Sequence, residues 1–431
     1  MKKVWYVLSM ALILLIASCQ SDNPSMITLG LDDTYVVERM KGLTLHPGFT
    51  GERYEWALSY ESDSVSVTDS IVATTRDYTF VASETGTYRL RFQIYDAANP
   101  ITHLMRIVVR KEEVAYSPYI TKVYEYRPAP GQFVNELPRY TEGDTEESMR
   151  QKVEDCLAYD ARTMVTLGGY GGYIVVGFDH TIVNRPGEYD FKILGNAFYA
   201  NDNPRPDAPL GGSSEPGIVM VSVDTNGNGV PDDEWYELAG SEYYKKETLK
   251  NYEITYYRPD ENKEPVTCSN PNITDSTYVR WTDNYGNTGY ISQLTFHKQP
   301  YYPQWVSESS ITFKGSRLAD NAIDESGNGS YYVLYAYDWG CLLYTSDAAD
   351  ERGNGSYYVL YAYDWGYVDN HPNSSEKSNF KIDWAVDSEG NPVDLPGVDF
   401  IKIYTGVNQF NGWLGECSTE VMGVTDLHIE E

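Results

Sequence analysis

The stretch GTYRLRFQIY, residues 86–95, sets Tyr88, Leu90, Phe92 and Ile94 against Arg89, Arg91 and Gln93 on the opposite side. Apolar residues at a period of two mark a strand with one buried face. Upstream, Tyr54, Trp56 and Leu58 repeat the pattern, and downstream it resumes from Leu104 to Val109. SETGTY at 83–88 places Gly86 between two such strands, and DAANP at 96–100 supplies the next break. Short alternating strands separated by turns from about Ile27 to Arg110 predict a small β-sandwich.

The composition agrees with a chain rich in strands. Tyr outnumbers Phe 39 to 12, and 35 Gly and 21 Pro favour strands and turns over helices. With 41% apolar residues the chain can bury real cores. The 431 residues carry 33 Lys and Arg against 63 Asp and Glu, a formal charge of −30. Nucleic acid and anionic lipid reward clustered positive charge, so neither is expected as the main partner. Five Cys exclude a dense disulfide framework, and Cys156, Cys268 and Cys417 can supply one bridge at most.

The first residues, MKKVWYVLSMALILLIASC, join Lys2 and Lys3 to an apolar run from Val4 to Ile16 and small residues before Cys19. That is a secretory signal over residues 1–18. Leu15-Ile16-Ala17-Ser18-Cys19 resembles the lipobox of bacterial lipoproteins, which implies that Cys19 becomes the lipid-bearing first residue, followed by a tether over 19–26. No other stretch approaches the ~20 apolar residues of a membrane span, so the expected membrane attachment is by lipid anchor only.

Beyond Tyr116 one helix stands out, GDTEESMRQKVEDCLA at 143–158, with Asp144 and Glu147 at capping-box spacing and Met149, Val153, Cys156 and Leu157 on one face. Strands are predicted at Tyr173–Phe178, Tyr189–Leu194, Ile218–Val223, Tyr252–Tyr257, Leu294–His297, Ser310–Lys314, Tyr357–Tyr363 and Phe400–Tyr404. Strands without helices between them argue for a larger jelly-roll-like β-sandwich with one helix over 117–431, and against a parallel α/β fold.

Within that region DTNGNGVPDDEW, residues 224–235, places Asp224, Asn226, Asn228, the Val230 carbonyl and Asp232 in the alternate order of a Ca²⁺ loop, with Gly229 permitting the turn. Position 12, normally a bidentate Glu, is Trp235. The last ligand is therefore open to Asp233, Glu234 or Glu237, and the loop is expected to lack EF-hand helices. A metal-free polar hairpin is the competing reading. TLGGYGGY at 166–173 lacks the Lys-Ser or Lys-Thr of a phosphate cradle and reads as a turn or bulge, and DSEGNP at 387–392 reads as a hairpin turn. The six His show no HExxH spacing and no GxSxG is present, so neither a zinc hydrolase nor a serine nucleophile elbow has support.

Residues 324–340, DESGNGSYYVLYAYDWG, recur at 350–366 with one difference. Structural repeats need at least three units and diverge first at the surface, so residues 341–366 read as an artefactual insertion or duplication.

Two resemblances follow from these motifs. Trp56, GTYRLRF at 86–92 and Tyr95-Asp96 make residues 27–112 similar to PKD-like domains, which usually act as spacers on exported proteins. PAPGQFVNELP at 128–138, GFDHTIVNRPGEYDFKILGNAF at 177–198, EPGIVMVSVDTNGNGVPDDEWYELAGSEY at 215–243 and GVDFIKIYTGVNQFNGWLGECSTEVMGVTDLHI at 397–429 resemble a family of exported cell-surface lipoproteins of gut anaerobes. The resemblance carries no catalytic residues. It implies a protein of the outer membrane or cell surface beside an outer-membrane uptake system for glycans or cobamides; with the Ca²⁺-type loop, the lipid anchor and the lack of a nucleophile or zinc motif, the expectation is a calcium-stabilised ligand-binding or adhesion lipoprotein that binds an extracellular ligand, of the glycan or cobamide class, without catalysis. Trp281, Trp365, Tyr367 and Trp413 are the candidate ligand-stacking residues. A glycan-active hydrolase, which needs two carboxylates ~5 to 9.5 Å apart in a cleft, and a structural surface-layer component are the alternatives.

Overall fold

The structure, a computed structural model, describes residues 29–429 apart from 62–65, 97–99, 200–209, 325–357 and 412–413. The signal segment, Cys19, the tether, Trp413 and the first copy of the repeat beyond Asp324 lie outside the described residues. Two compact units are present. One comprises the chain up to Val37, Leu45–Tyr78 and Gly86–Val109, and the other Glu38–Thr44, Thr79–Thr85 and Arg110 onward.

The smaller unit is built on a five-stranded antiparallel sheet in the order Thr34–Glu38, Ile101–Arg110, Gly86–Tyr95, Arg53–Glu61, Ser66–Ala73. The alternation that opened the sequence reading is obeyed, because Tyr88, Leu90, Phe92 and Ile94 are all buried. Trp56 stacks on Tyr78 at 5.4 Å and meets Phe92 at 4.3 Å, and its indole N–H donates to the Thr75 carbonyl at 3.0 Å, which satisfies the one polar atom of a fully buried ring. Leu43–Leu45 and Tyr78–Phe80 form a separate two-stranded sheet.

The larger unit is mainly β. Its six-stranded sheet runs Ala385–Val386, Trp235–Leu238, Gly217–Ser222, Gly397–Thr405, Tyr173–Val183, Lys122–Arg127, and a four-stranded sheet runs Thr288–Leu294, Ile273–Asp283, Leu249–Tyr257, Ser310–Arg317. One core joins their inner faces, with Ile174, Val176, Val221, Ile401 and Ile403 from the first and Tyr252, Ile254, Tyr256, Val279 and Phe313 from the second. This is a β-sandwich, as the sequence predicts. Phe191–Leu194 pairs with Asn379–Phe380 and Gly423–Asp426 in a three-stranded sheet beside it. His180 is buried between Asp179 and Asp426, each 2.8 Å away, and ties the end of the chain to the long strand.

Among the described residues the one α-helix spans Glu146–Leu157 and buries Met149, Val153 and Leu157. The N-cap is Thr145 rather than Asp144: the Ser148 N–H donates to Thr145 Oγ1 at 3.2 Å and the Thr145 N–H to Ser148 Oγ at 2.8 Å. Asp144 instead accepts from the Thr141 N–H and ion-pairs with Lys152. The strand predicted at Leu294–His297 is displaced to Thr288–Leu294, because the Leu294 N–H donates to the Tyr301 hydroxyl, which itself donates to the His297 carbonyl and turns the chain. The Ile273–Asp283 strand was not legible, since its buried positions do not alternate. Cys156, Cys268 and Cys417 are free thiols.

The latter part of the second repeat copy contains a strand. Tyr358–Tyr361 pairs with Ala322–Asp324 on one side and Gly211–Ser213 on the other, with Asp324 opposite Tyr358.

Candidate functional site

One segment, Val407 to Glu420, carries the acidic chemistry of the larger unit. It leaves the Gly397–Thr405 strand, turns back so that Phe410 bridges to Glu416, and enters the short Glu420–Val421 strand paired to Val165–Thr166. Against it lies the glycine-rich turn at 166–173. Gly168 has φ +69°, and a Cβ there would sit 1.9 Å from the Ala129 carbonyl oxygen, so only glycine lets the two backbones meet. The turn reading of this motif therefore holds, and its packing sets the floor of a cleft.

That cleft, a cavity of about 70 Å³, is lined by Tyr170, Tyr256, Trp281, Tyr290, Phe410 and Glu416, and also by Asn408, Gln409 and Cys417. The Tyr170 and Tyr256 hydroxyls donate to the Ser316 and Tyr170 carbonyls. Trp281 lies over Gly289 of the neighbouring strand, where a Cβ would come within 2.3 Å of the indole. Glu416 is 4% exposed. Its Oε1 accepts the Gln132 N–H at 2.7 Å, whereas Oε2 is buried with no partner. Burial pushes this carboxyl up to about 7, against the opposing pull of the Gln132 hydrogen bond.

Four residues on, Glu420 meets Glu215 and Asp369, with one oxygen of each within 4.8 Å of the others. Asp369 Oδ1 accepts the Asn196 and Ala197 N–H groups at 2.7 Å each, and Oδ2 the Glu420 N–H at 3.0 Å. Its backbone is left-handed, φ +54°, a conformation Asp and Asn tolerate best among side-chain-bearing residues. Thr166 Oγ1 donates to Glu420 at 3.1 Å and the Ser418 N–H to Glu215 at 3.1 Å. Burial, followed by the Asp369 charge, raises Glu215 to about 8. Burial raises Asp369 to about 7 and, with the charges of Glu215 and Asp369, lifts Glu420 well above the carboxylate range. The spacing is one a divalent cation can bridge. Both Asp369 oxygens are already taken by backbone donors, however, so protons shared with Glu215 and Glu420 suffice to neutralise the triad.

The predicted calcium loop joins two adjacent antiparallel strands, Gly217–Ser222 and Trp235–Leu238, without flanking helices. Asp224 accepts the Asn228 and Gly229 N–H groups at 3.1 and 2.8 Å, Asn228 Oδ1 accepts the Val230 N–H at 2.7 Å, and the Asn226 and Asn228 amides donate to Asp232. Those amides hold Asp232 below the usual carboxylate range. The loop thus gathers Asp224, Asn226, Asn228 and Asp232 in one exposed turn. Of the candidate final ligands, Glu237 is held by Ser316 and Lys250 and Glu234 by Tyr236, while Asp233 keeps Oδ2 buried without a partner. This all-oxygen donor set with an orphaned acid suits a hard cation.

Three of the four candidate aromatic residues are described, Trp413 lying outside the described residues, and these three do not form one surface. Trp281 lines the cleft, Trp365 is half-buried against Trp384 at 4.6 Å, and Tyr367 is a core residue whose hydroxyl accepts the Glu242 N–H. Sequence reasoning missed Glu416 and the triad. The available signal was two acids, Glu416 and Glu420, inside a run of small and apolar residues, whereas nothing local marks Glu215 or Asp369.

No family model and no curated protein matches the chain. Among solved structures it is similar to a quinonprotein alcohol dehydrogenase-like protein from Bacteroides thetaiotaomicron, at 12% identity over 62% of this chain and 49% of that one with a TM-score of 0.17. It is also similar to a SusE-like protein, at 8% identity over 92% and 95% with a TM-score of 0.19. The chain spans about half the length of the first, and TM-scores this low carry no argument about fold or function.

Proposed function

We propose that this chain is an exported surface lipoprotein, anchored through Cys19, whose larger unit binds an extracellular ligand in the cleft beside Glu416 and does not transform it. The observation that carries this reading is a cleft lined by five aromatic side chains with a few polar groups, the Glu416 carboxyl and the Tyr290 hydroxyl among them, an arrangement that orients a ligand through few polar contacts. Hydrolysis has less support, because Glu416 is the one acid among the described residues lining the cleft and the catalytic chemistry needs two. Glycans and cobamides are the ligand classes to examine, with an outer-membrane uptake system as the expected partner. The PKD-like unit serves as a spacer. Asp224, Asn226, Asn228, the Val230 carbonyl, Asp232 and Asp233 would hold Ca²⁺, which would rigidify the exposed hairpin.

The test is incubation of the mature protein with a glycan array and a cobamide panel in calcium, reading both retention and products. Retention that Glu416→Gln or Trp281→Ala weakens supports the reading. Turnover abolished by a single carboxylate substitution replaces it with the hydrolase, and absence of retention by any member removes the cleft as a binding site.

A further inference from the structure

The sheet of the smaller unit buries the face that carries Tyr88, Leu90 and Phe92, and its other face holds a groove of about 400 Å³ lined by Ser59, Asp69, Arg89, Arg91, Leu104 and Arg106, and also by Asp33 and Ala57. Strand register sets these side chains in two rows. Ile71, Ala57, Arg91 and Leu104 face one another across four strands in the first, and Ser59, Arg89 and Arg106 across three in the second. The rows are two residues apart along the strands, about 7 Å.

Arg91 is spent within the first row's surroundings. Its guanidinium donates to both Asp69 oxygens, at 2.8 and 2.9 Å, and to Glu55 at 3.2 Å. Arg89 and Arg106 stand directly opposite each other, both are exposed, and neither pairs with an acid among the described residues. Like charges opposite each other on neighbouring strands destabilise a sheet. Ser59 Oγ accepts the Asp69 N–H at 2.8 Å and so keeps its own proton to donate. The groove's other carboxylate, Asp33, lies 3.6 Å from His103 with its side chain 90% exposed. The second row therefore presents donors and two uncompensated positive charges to a ligand that can reach them.

A neutral hydroxyl compound brings no charge to set against that pair, and an ammonium is repelled by it. An oxyanion accepts from both guanidiniums and relieves their repulsion, through charge-assisted hydrogen bonds roughly twice as strong as neutral ones. Leu104, 69% exposed, and Ile71, 58% exposed, end the first row and offer apolar surface beside the anion. An inorganic ion leaves that surface wet, whereas the aliphatic part of an organic acid covers it. The chain's charge of −30 does not oppose this at close range, because charges beyond ~8 Å are largely screened at physiological salt.

We infer that this face of the smaller unit binds an organic acid, with the carboxylate between the Arg89 and Arg106 guanidiniums and the aliphatic body along Leu104. The site belongs to the smaller unit alone and is separate from the Glu416 cleft.

The experiment uses the full mature chain and hexanoate as probe at neutral pH, with 1-hexanol as its uncharged counterpart, acetate as its truncated one and hexylammonium as its charge reversal. Binding is followed by calorimetry. The expected result is saturable binding of hexanoate at least about tenfold tighter than of hexanol or acetate and no binding of hexylammonium, with hexanoate weakened about tenfold or more by Arg89→Gln or Arg106→Gln. Arg110→Gln, on the same strand as Arg106 and outside the groove, should bind as the wild type does. Each groove variant also removes a like-charge contact, so its melting temperature without ligand should be unchanged or higher, which separates loss of the site from loss of the fold. Undiminished hexanoate binding by the double variant Arg89→Gln with Arg106→Gln overturns the inference, as does binding of hexanol, acetate or hexylammonium as tight as that of hexanoate, or no saturable binding of hexanoate. Each of these leaves the cleft reading standing, since that reading is tested by Glu416 and Trp281 variants with other ligands.

Discussion

Asp369→Asn isolates what the carboxylate triad costs the fold. Asn tolerates the left-handed backbone and retains one acceptor for the Asn196 and Ala197 N–H groups, but its amide nitrogen faces the Glu420 N–H and loses that 3.0 Å hydrogen bond. The lost bond costs roughly 1–3 kcal/mol at every pH. Against it stands the titration of Asp369 itself, whose pKa rises from 3.8 to about 7 on burial. An acid whose folded pKa lies above its unfolded value keeps its proton in the native state where the unfolded chain has released it, so stability falls as pH rises between the two. Between pH 5 and pH 8 that amounts to roughly 2–3 kcal/mol lost by the wild type, with none lost at this position by the variant. At about 2 °C per kcal/mol for a chain of this size, the two melting curves should converge by ~5 °C over those three pH units. Removing one negative charge also relieves Glu215 and Glu420, in the same direction. Thermal melts in chelator at fixed ionic strength, every half unit from pH 5 to 8.5, measure the slopes. Parallel slopes for wild type and Asp369→Asn would refute the claim that this cluster folds around shared protons.

Three further outcomes are expected. Calcium at about a hundredfold excess over its dissociation constant should stabilise the protein by ~2.7 kcal/mol, and Asp224→Ala with Asp232→Ala should abolish that gain; equal calcium shifts in both proteins would show that the ion binds elsewhere. Deleting Cys341–Gly366 should leave the melting temperature unchanged or higher, because residues 332–335 repeat the sequence of Tyr358–Tyr361 and can take its place beside Ala322–Asp324; a clear fall would show that both copies are needed. Cys19→Ala should move the protein from the membrane fraction to the soluble fraction, and retention in membranes would locate another anchor.

The sequence by itself determined those features that a short run of side chains encodes. Alternation fixes which face of Gly86–Tyr95 is buried, because a strand's period is two wherever one face meets a core. Glycine and proline punctuation marks the turns, and the order of oxygens from Asp224 to Asp232 gathers them in one hairpin, since the loop's own backbone bonds shape it. Tertiary structure alone decided the rest. The Ile273–Asp283 strand hides its period behind irregular register, and Thr145 displaces Asp144 as helix cap because Lys152 and the Thr141 N–H hold that aspartate elsewhere. Glu215, Asp369 and Glu420 are far apart in sequence and converge only when three separate connections pack together. Burial then supplies the shifted proton affinities that none of them has as a free side chain. Glu416 likewise looks like one of 63 acids until folding satisfies one of its oxygens and leaves the other without a partner in an aromatic cleft.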